Sequence, residues 1–216
     1  MARVNPDGTL SGRTGNIVYY TRNGKTFTKE YKKPKDPRTP KQLNQRARLS
    51  AASAFLSDFR KIIDIGFQAP ETKTTGYQEA LEYHMENALQ DITPEGSEEP
   101  LFGVIMEQVK LSRGFIDPPQ IDACVREGNQ LTLNWDPTLG GTNNRLFDSL
   151  AIVAYHPGEG THIDYHVGRR DQSTGTTTLP NNFKQPVHLW ALYLNQEKSQ
   201  VKGKENVSGS VYLGEF

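Results

Sequence analysis

The sequence predicts an α+β chain: an N-terminal β-hairpin and a two-helix hairpin, followed by an all-β sandwich of immunoglobulin or fibronectin type. Three observations predict it. Asn23-Gly24 lies between two runs rich in β-branched and aromatic residues, the pattern of a hairpin with a type I′ turn. Apolar residues recur at three- and four-residue spacing from Leu43 to Ile63, a helical stripe. Beyond Val109, seven short apolar runs separated by turn residues follow one another within about a hundred residues, the rhythm of a sandwich. These place a head over residues 1–100 and a sandwich domain over 101–216.

The hairpin spans 15–31. Its strands are Ile17–Tyr20 and Lys25–Tyr31, and on the second Phe27, Lys29 and Tyr31 share one face while Thr26, Thr28 and Glu30 share the other. A lone hairpin is marginal in water, so its aromatics need a cover. The prolines of Lys32-Lys-Pro-Lys-Asp-Pro-Arg-Thr-Pro40 forbid regular structure and leave an extended arm. A helix start closes the arm: Thr39 suits the N-cap, Pro40 the first helical position, and Gln42 the return acceptor of a capping box. The stripe of Leu43, Ala47, Ala51, Ala54, Phe55, Phe59, Ile62 and Ile63 predicts one helix of roughly six turns that stops at Gly66. A second helix, Thr75 to Leu89, carries Tyr77, Ala80, Leu81, His84, Met85, Ala88 and Leu89 on its apolar side and Glu79, Glu82 and Glu86 outward. The two pack antiparallel. Residues 93–100 have linker composition, and Leu101–Met106 fits a short helix or a strand.

The sandwich strands are Ile121–Val125, Gln130–Trp135, Ser149–Tyr155, His162–Val167, Thr176–Leu179, Val187–Leu194 and Val207–Leu213. Leu131-Thr-Leu-Asn-Trp135-Asp-Pro137 looks like the second strand of a fibronectin type III domain, whose tryptophan fills the core between sheets. Trp190 is a second core filler, or a surface aromatic if the register is shifted by one residue.

The net charge of zero conceals an asymmetry. Residues 1–50 carry twelve Lys/Arg against three Asp/Glu, net +9; residues 51–100 carry three against ten, net −7; residues 101–216 carry ten against twelve, net −2. Such segregation suits an oriented contact with a charged partner, or two solvated faces that neutralise each other within one fold. No apolar run is long enough to cross a bilayer, and the N-terminus lacks the apolar core of a secretory signal, so the expected product is made in the cytoplasm without a signal peptide. The single cysteine, Cys124, excludes an intrachain disulfide and a multi-cysteine zinc site; within a strand it reads as a small core filler.

No phosphate-cradling glycine loop, nucleophile elbow, zinc-protease helix or EF-hand loop occurs. His162, Asp164 and His166 alternate along a strand about 6–7 Å apart, a spacing that could hold a metal or shuttle a proton, but an ordinary solvated strand face is the favoured reading. His84 reads as a satisfied core residue, and His156 and His188 stand alone. The expectation is a non-enzyme with no cofactor.

The basic region is the strongest candidate for contact with a partner. Arg22, Lys25, Lys29, Lys32, Lys33, Lys35, Arg38, Lys41, Arg46 and Arg48 run from the hairpin through the arm into the first helix, with Tyr19, Tyr20, Phe27 and Tyr31 interleaved. Cations with aromatics are the composition of a nucleic-acid surface. They equally compose a hairpin with a buried aromatic face and a basic arm that docks on other subunits, and this second reading is favoured. A carbohydrate- or ligand-binding sandwich would use Trp190 or the loop tips at 139–145 and 157–161.

The run Gly15-Asn-Ile-Val-Tyr-Tyr-Thr-Arg-Asn-Gly-Lys25, with Asp36-Pro-Arg-Thr-Pro40, Gln42-Leu43 and Gln45-Arg46, resembles an uncharacterised protein family of Bacteroidetes bacteria and their phages. The resemblance covers about the first third of the chain and implies this hairpin, arm and helix followed by a divergent β-rich half. It transfers no activity. A stereotyped head with a variable sandwich is similar in plan to virion components of tailed phages, so the resemblance implies a head, neck or tail accessory protein that assembles with other subunits.

Overall fold

A computed structural model of the chain describes residues 1–33, 35–67, 75–138, 140–141, 144–195 and 206–216. It divides into two compact units, Met1–Thr39 and Pro40–Phe216.

The first unit is an antiparallel sheet of four strands in sequence order: β1 (Arg3–Val4), β2 (Leu10–Thr14), β3 (Ile17–Arg22) and β4 (Lys25–Glu30). Asn23 and Gly24 join β3 to β4 with φ of 51° and 71°, the paired positive values that a two-residue turn demands and that this dipeptide tolerates best. The hairpin is thus as predicted, but two further strands extend it. Leu10-Ser-Gly-Arg-Thr14 has little of the β-branched content that marks a strand, and pairing to β3 makes it one. Gly12 has a reason to be glycine: φ is +107°, and a Cβ there would stand 2.8 Å from the Met1 carbonyl oxygen, barring β1 from its place. The Asp7 carboxylate accepts bonds from the Thr9 amide and hydroxyl at 3.0 and 2.6 Å, closing the β1–β2 turn. Thr9 is the one buried residue among those described in this unit.

The second unit begins with helices. α1 (Pro40–Ser57) starts at the proline the sequence singles out, and the predicted long helix is interrupted before α2 (Arg60–Gly66). At the interruption the Asp58 and Phe59 amides bond three residues back, and the Asp58 carbonyl accepts the Thr161 hydroxyl at 2.7 Å. The buried stripe also differs in detail: Ala52, Phe55, Leu56, Phe59, Ile62 and Ile63 are buried, whereas Ala54 is exposed. Gly66 ends α2 because the chain passes close to it; a Cβ would lie 2.3 Å from the Leu111 carbonyl oxygen. α3 (Gly76–Asn87) opens on Thr75, whose hydroxyl accepts from the Gln78 amide while the Gln78 side chain accepts from the Thr75 amide, a full capping box. Bonds from Arg48 to the Met85 carbonyl and between Ser53 and Tyr77 show α1 and α3 running antiparallel.

β5 (Leu89–Asp91) and β6 (Phe102–Val104) pair with each other, so residues 93–100 are the loop of a hairpin. Their linker composition therefore does not coincide with the division between units, which falls at Thr39/Pro40 rather than at residue 100. A 3-10 turn, Met106–Gln108, leads on toward the sandwich. All seven predicted sandwich strands are present: β7 (Ile121–Glu127), β8 (Gln130–Trp135), β9 (Ser149–His156), β10 (Gly160–Arg169), β11 (Thr174–Thr178), β12 (His188–Leu194) and β13 (Val211–Glu215). They form a three-stranded sheet, β11-β8-β7, and a four-stranded sheet, β10-β9-β12-β13, with every pairing antiparallel. This is the fibronectin-type arrangement the rhythm predicts.

Two cores result. Between the sheets lie Leu131, Leu133 and Trp135 of β8 with Leu150, Ile152 and Ala154 of β9 and Leu189, Ala191 and Tyr193 of β12. On the other side of the four-stranded sheet, Ala151, Val153, Trp190 and Leu192 pack against Phe55, Leu56, Phe59, Ile62, Ile63, Phe67 and Ala80 of the helical region. β9 and β12 are thus covered on both faces. That is the physical reason the helices belong to the sandwich unit: their apolar stripes are one wall of its core.

Candidate functional site

The structure distributes the predicted basic region over two units. Arg22, Lys25 and Lys29 lie on the N-terminal sheet. Lys32, Lys33, Lys35 and Arg38 follow, each in neither helix nor strand, and Lys41, Arg46 and Arg48 stand on α1 in the second unit. Arg48 has a packing role: it bonds the Met85 carbonyl and lies 5.5 Å over the Phe102 ring. Beside it, Gln45, Leu81, Glu82, Met85 and Glu86 line a groove of about 510 Å³ between α1 and α3.

On the N-terminal sheet the register sorts side chains by chemistry. Directly opposed residues share a face. The pairs Tyr20–Phe27, Arg22–Lys25, Val18–Lys29 and Arg13–Val18 put four cations and two aromatic rings on one side. The other side carries Ile17, Tyr19, Thr21, Thr26 and Thr28, with Glu30 opposite Ile17; there the Thr26 hydroxyl accepts from the Leu10 amide and the Thr21 hydroxyl donates to the Leu10 carbonyl. Tyr19 and Tyr20, adjacent in sequence, therefore serve different surfaces. Arg13 is absent from the predicted set because it lies on a strand the set lacks; only strand pairing reveals it.

The cationic face is ordered by ring contacts. Tyr20 and Phe27 stack with centroids 5.7 Å apart, and both remain exposed, at 42% and 43%. The Lys29 ammonium sits 5.7 Å over Tyr20. Arg13 lies 3.6 Å over Tyr31, its Nε donating to the Gly15 carbonyl at 2.7 Å. These are cation–π geometries at an exposed site, each contributing about 0.5–1 kcal/mol.

The sandwich offers less for chemistry. Asp164 accepts from the His166 amide at 2.9 Å and the Thr177 hydroxyl at 2.6 Å, and His166 Nδ1 is 3.1 Å from the Ser149 hydroxyl, so both serve the strand bulge between Asp164 and Gly168. Among the described residues no three His, Cys, Asp or Glu side chains gather closely enough to hold a metal ion. Trp190 is fully buried and belongs to the core. Trp135 is also core, its indole N–H donating to the Arg170 carbonyl at 3.0 Å. Cys124 packs at the edge of the inter-sheet core, and burial pushes its thiol up to about 11, which leaves it a poor nucleophile. The sequence reading missed one buried pair, Arg170–Asp148, at 3.6 Å with side chains 3% and 1% exposed. Arg170 also stacks 3.8 Å over Tyr193, whose hydroxyl burial pushes up to about 12. Burial raises the Asp148 carboxyl despite the guanidinium beside it. Loop positions 139, 142 and 143, part of the suggested ligand loop, lie outside the described residues. No helix among the described residues is long and apolar enough to cross a membrane.

A family model described as a family of unknown function, DUF6266, matches residues 9–214. The chain belongs to that family. The match runs through both units, so the family comprises sheet, helices and sandwich together. No curated protein and no solved structure matches the chain.

Proposed function

We propose that this chain is a non-catalytic assembly protein, built into a larger particle such as the virion of a tailed phage of Bacteroidetes. Its N-terminal sheet is the docking element and its sandwich the module displayed or packed against other subunits. The observation that carries this reading is that the 1–39 unit has Thr9 as its one buried residue among those described. Stable sheets bury at least one face, and this one leaves Val4 and Ile17 exposed in the company of Leu10 and Tyr19. A face of this kind, Ile17, Tyr19 and threonines with Glu30 at the end of β4, gains its stabilisation from a neighbouring subunit. The virion placement draws support from the resemblance of 15–46 and from the immunoglobulin-like body.

The test is native mass in solution together with particle assembly. The full chain is expected to form a defined oligomer, and a chain lacking 1–39 to remain folded but monomeric and absent from particles. A full chain that stays monomeric, with particles that assemble unchanged without residues 1–39, sinks the reading.

A further inference from the structure

We propose that the cationic-aromatic face of the N-terminal sheet binds single-stranded nucleic acid. Three strands contribute cations to it: Arg13 from β2, Arg22 from β3, and Lys25 and Lys29 from β4. None of the positions that share that face through this register is acidic, and the one carboxylate on these strands, Glu30, stands on the opposite side beside Ile17. Cations spread over three strands without interleaved acids form a field that attracts a polyanion.

An acidic protein would answer that field as well, and the rings decide between the two. Tyr20 and Phe27 form a stacked pair at the middle of the face, each more than two-fifths exposed. A partner seeking apolar burial has the opposite face, where Ile17, Tyr19 and three threonines stand with a single charge, Glu30. Rings set among cations match a base above the ring and a phosphate beside it. Along β4, Lys25 and Lys29 flank Phe27 at about 7 Å on either side, by the rise of two strand residues. Tyr31, two residues beyond Lys29, carries Arg13 flat against its ring at 3.6 Å, so ring and guanidinium together offer a second stacking platform. Bases in a duplex are already stacked on one another, so exposed rings select the single strand.

This site is independent of subunit docking, since it uses the opposite face and is read by ligand binding rather than by native mass. The experiment is fluorescence anisotropy of the full chain with fluorescein-labelled oligothymidine, with a duplex of equal length and with poly-glutamate as competitors. If four phosphates are engaged, affinity falls on the order of fiftyfold between roughly 50 and 200 mM salt. Lys25→Gln with Lys29→Gln weakens binding and flattens the salt slope by about 1.4. Phe27→Tyr keeps the ring and the affinity, whereas Phe27→Leu keeps the apolar bulk and loses roughly tenfold. No anisotropy change at low salt overturns the proposal. So does Phe27→Leu binding like the natural chain, or poly-glutamate competing charge for charge, which would mark the face as a receptor for acidic protein.

Discussion

The chain holds two four-stranded antiparallel sheets with opposite fates. The sandwich sheet β10-β9-β12-β13 is covered on both sides at its centre, by β8 on one side and by the helices on the other. Within its own unit the N-terminal sheet comes with one buried residue among those described, Thr9. Their sequences explain the contrast. β9 and β12 read as continuous apolar runs, Leu150 to Ala154 and Leu189 to Leu194, as strands buried on both faces do. β3 and β4 divide instead into a face of cations and rings and a face of Ile17, Tyr19 and threonines. The sandwich sheet is buried by its own unit, and the N-terminal sheet is not buried by its own.

The largest expected effect separates the two sheets directly. Trp190→Ala removes a ring that lies against Phe59 and Tyr212 at 5.7 and 5.1 Å and opens a cavity in the helix-facing core. It should lower unfolding free energy by about 3–5 kcal/mol, measured by denaturant titration. Tyr20→Ala, on the uncovered sheet, should change the same transition by less than about 0.5 kcal/mol. Equal losses would mean that the N-terminal sheet is part of the cooperative core.

A smaller effect follows from His84. It is buried on α3, with Nδ1 2.7 Å from the Ala80 carbonyl and no partner for Nε2. Burial holds its pKa below the ordinary 6.5, the Ala80 bond opposing only in part. The unfolded chain therefore takes up the proton first, and stability declines as pH falls through 6.5 toward the lowered folded value; above 6.5 the residue contributes no pH dependence. Thermal midpoints between pH 7 and pH 5 should fall in the natural chain and fall less in His84→Leu. Parallel curves for the two proteins would show that another group governs acid lability.

The smallest effect on the sandwich unit sharpens the comparison from the other side. Gly12→Val meets both a positive φ and the nearby Met1 carbonyl, so it should free β1 from β2. Amide exchange at Arg3 and Ser11 should rise while the thermal midpoint of the 40–216 unit stays put. A shifted midpoint would show that the two units melt together.

Much of the fold was legible because its signals are local. Asn23-Gly24 specifies a turn by its own backbone preferences, Pro40 and Thr75 mark helix starts through caps a few residues long, and the seven sandwich strands are punctuated by Gly, Pro and Asn. The capping partner Gln78 lies three residues from Thr75 and could have been read the same way. The candidate surface was half legible. Arg22, Lys25, Phe27 and Lys29 stood out by composition, but Arg13 joins them only through pairing across a strand whose own sequence is weakly β-forming. The continuous apolar runs of β9 and β12 did carry a message, that both faces needed cover, yet a run alone does not say what covers it.

The amino-acid sequence by itself determined the turns, the helix starts and the strand rhythm, since each is settled among residues within a few positions of one another. Tertiary structure alone decided that the helices close the sandwich's second face, that Tyr19 and Tyr20 part company, and that Arg13 joins Arg22, Lys25 and Lys29 on one side. Those outcomes depend on which distant segment supplies the opposite wall or the neighbouring strand. That choice is made by mutual burial and register.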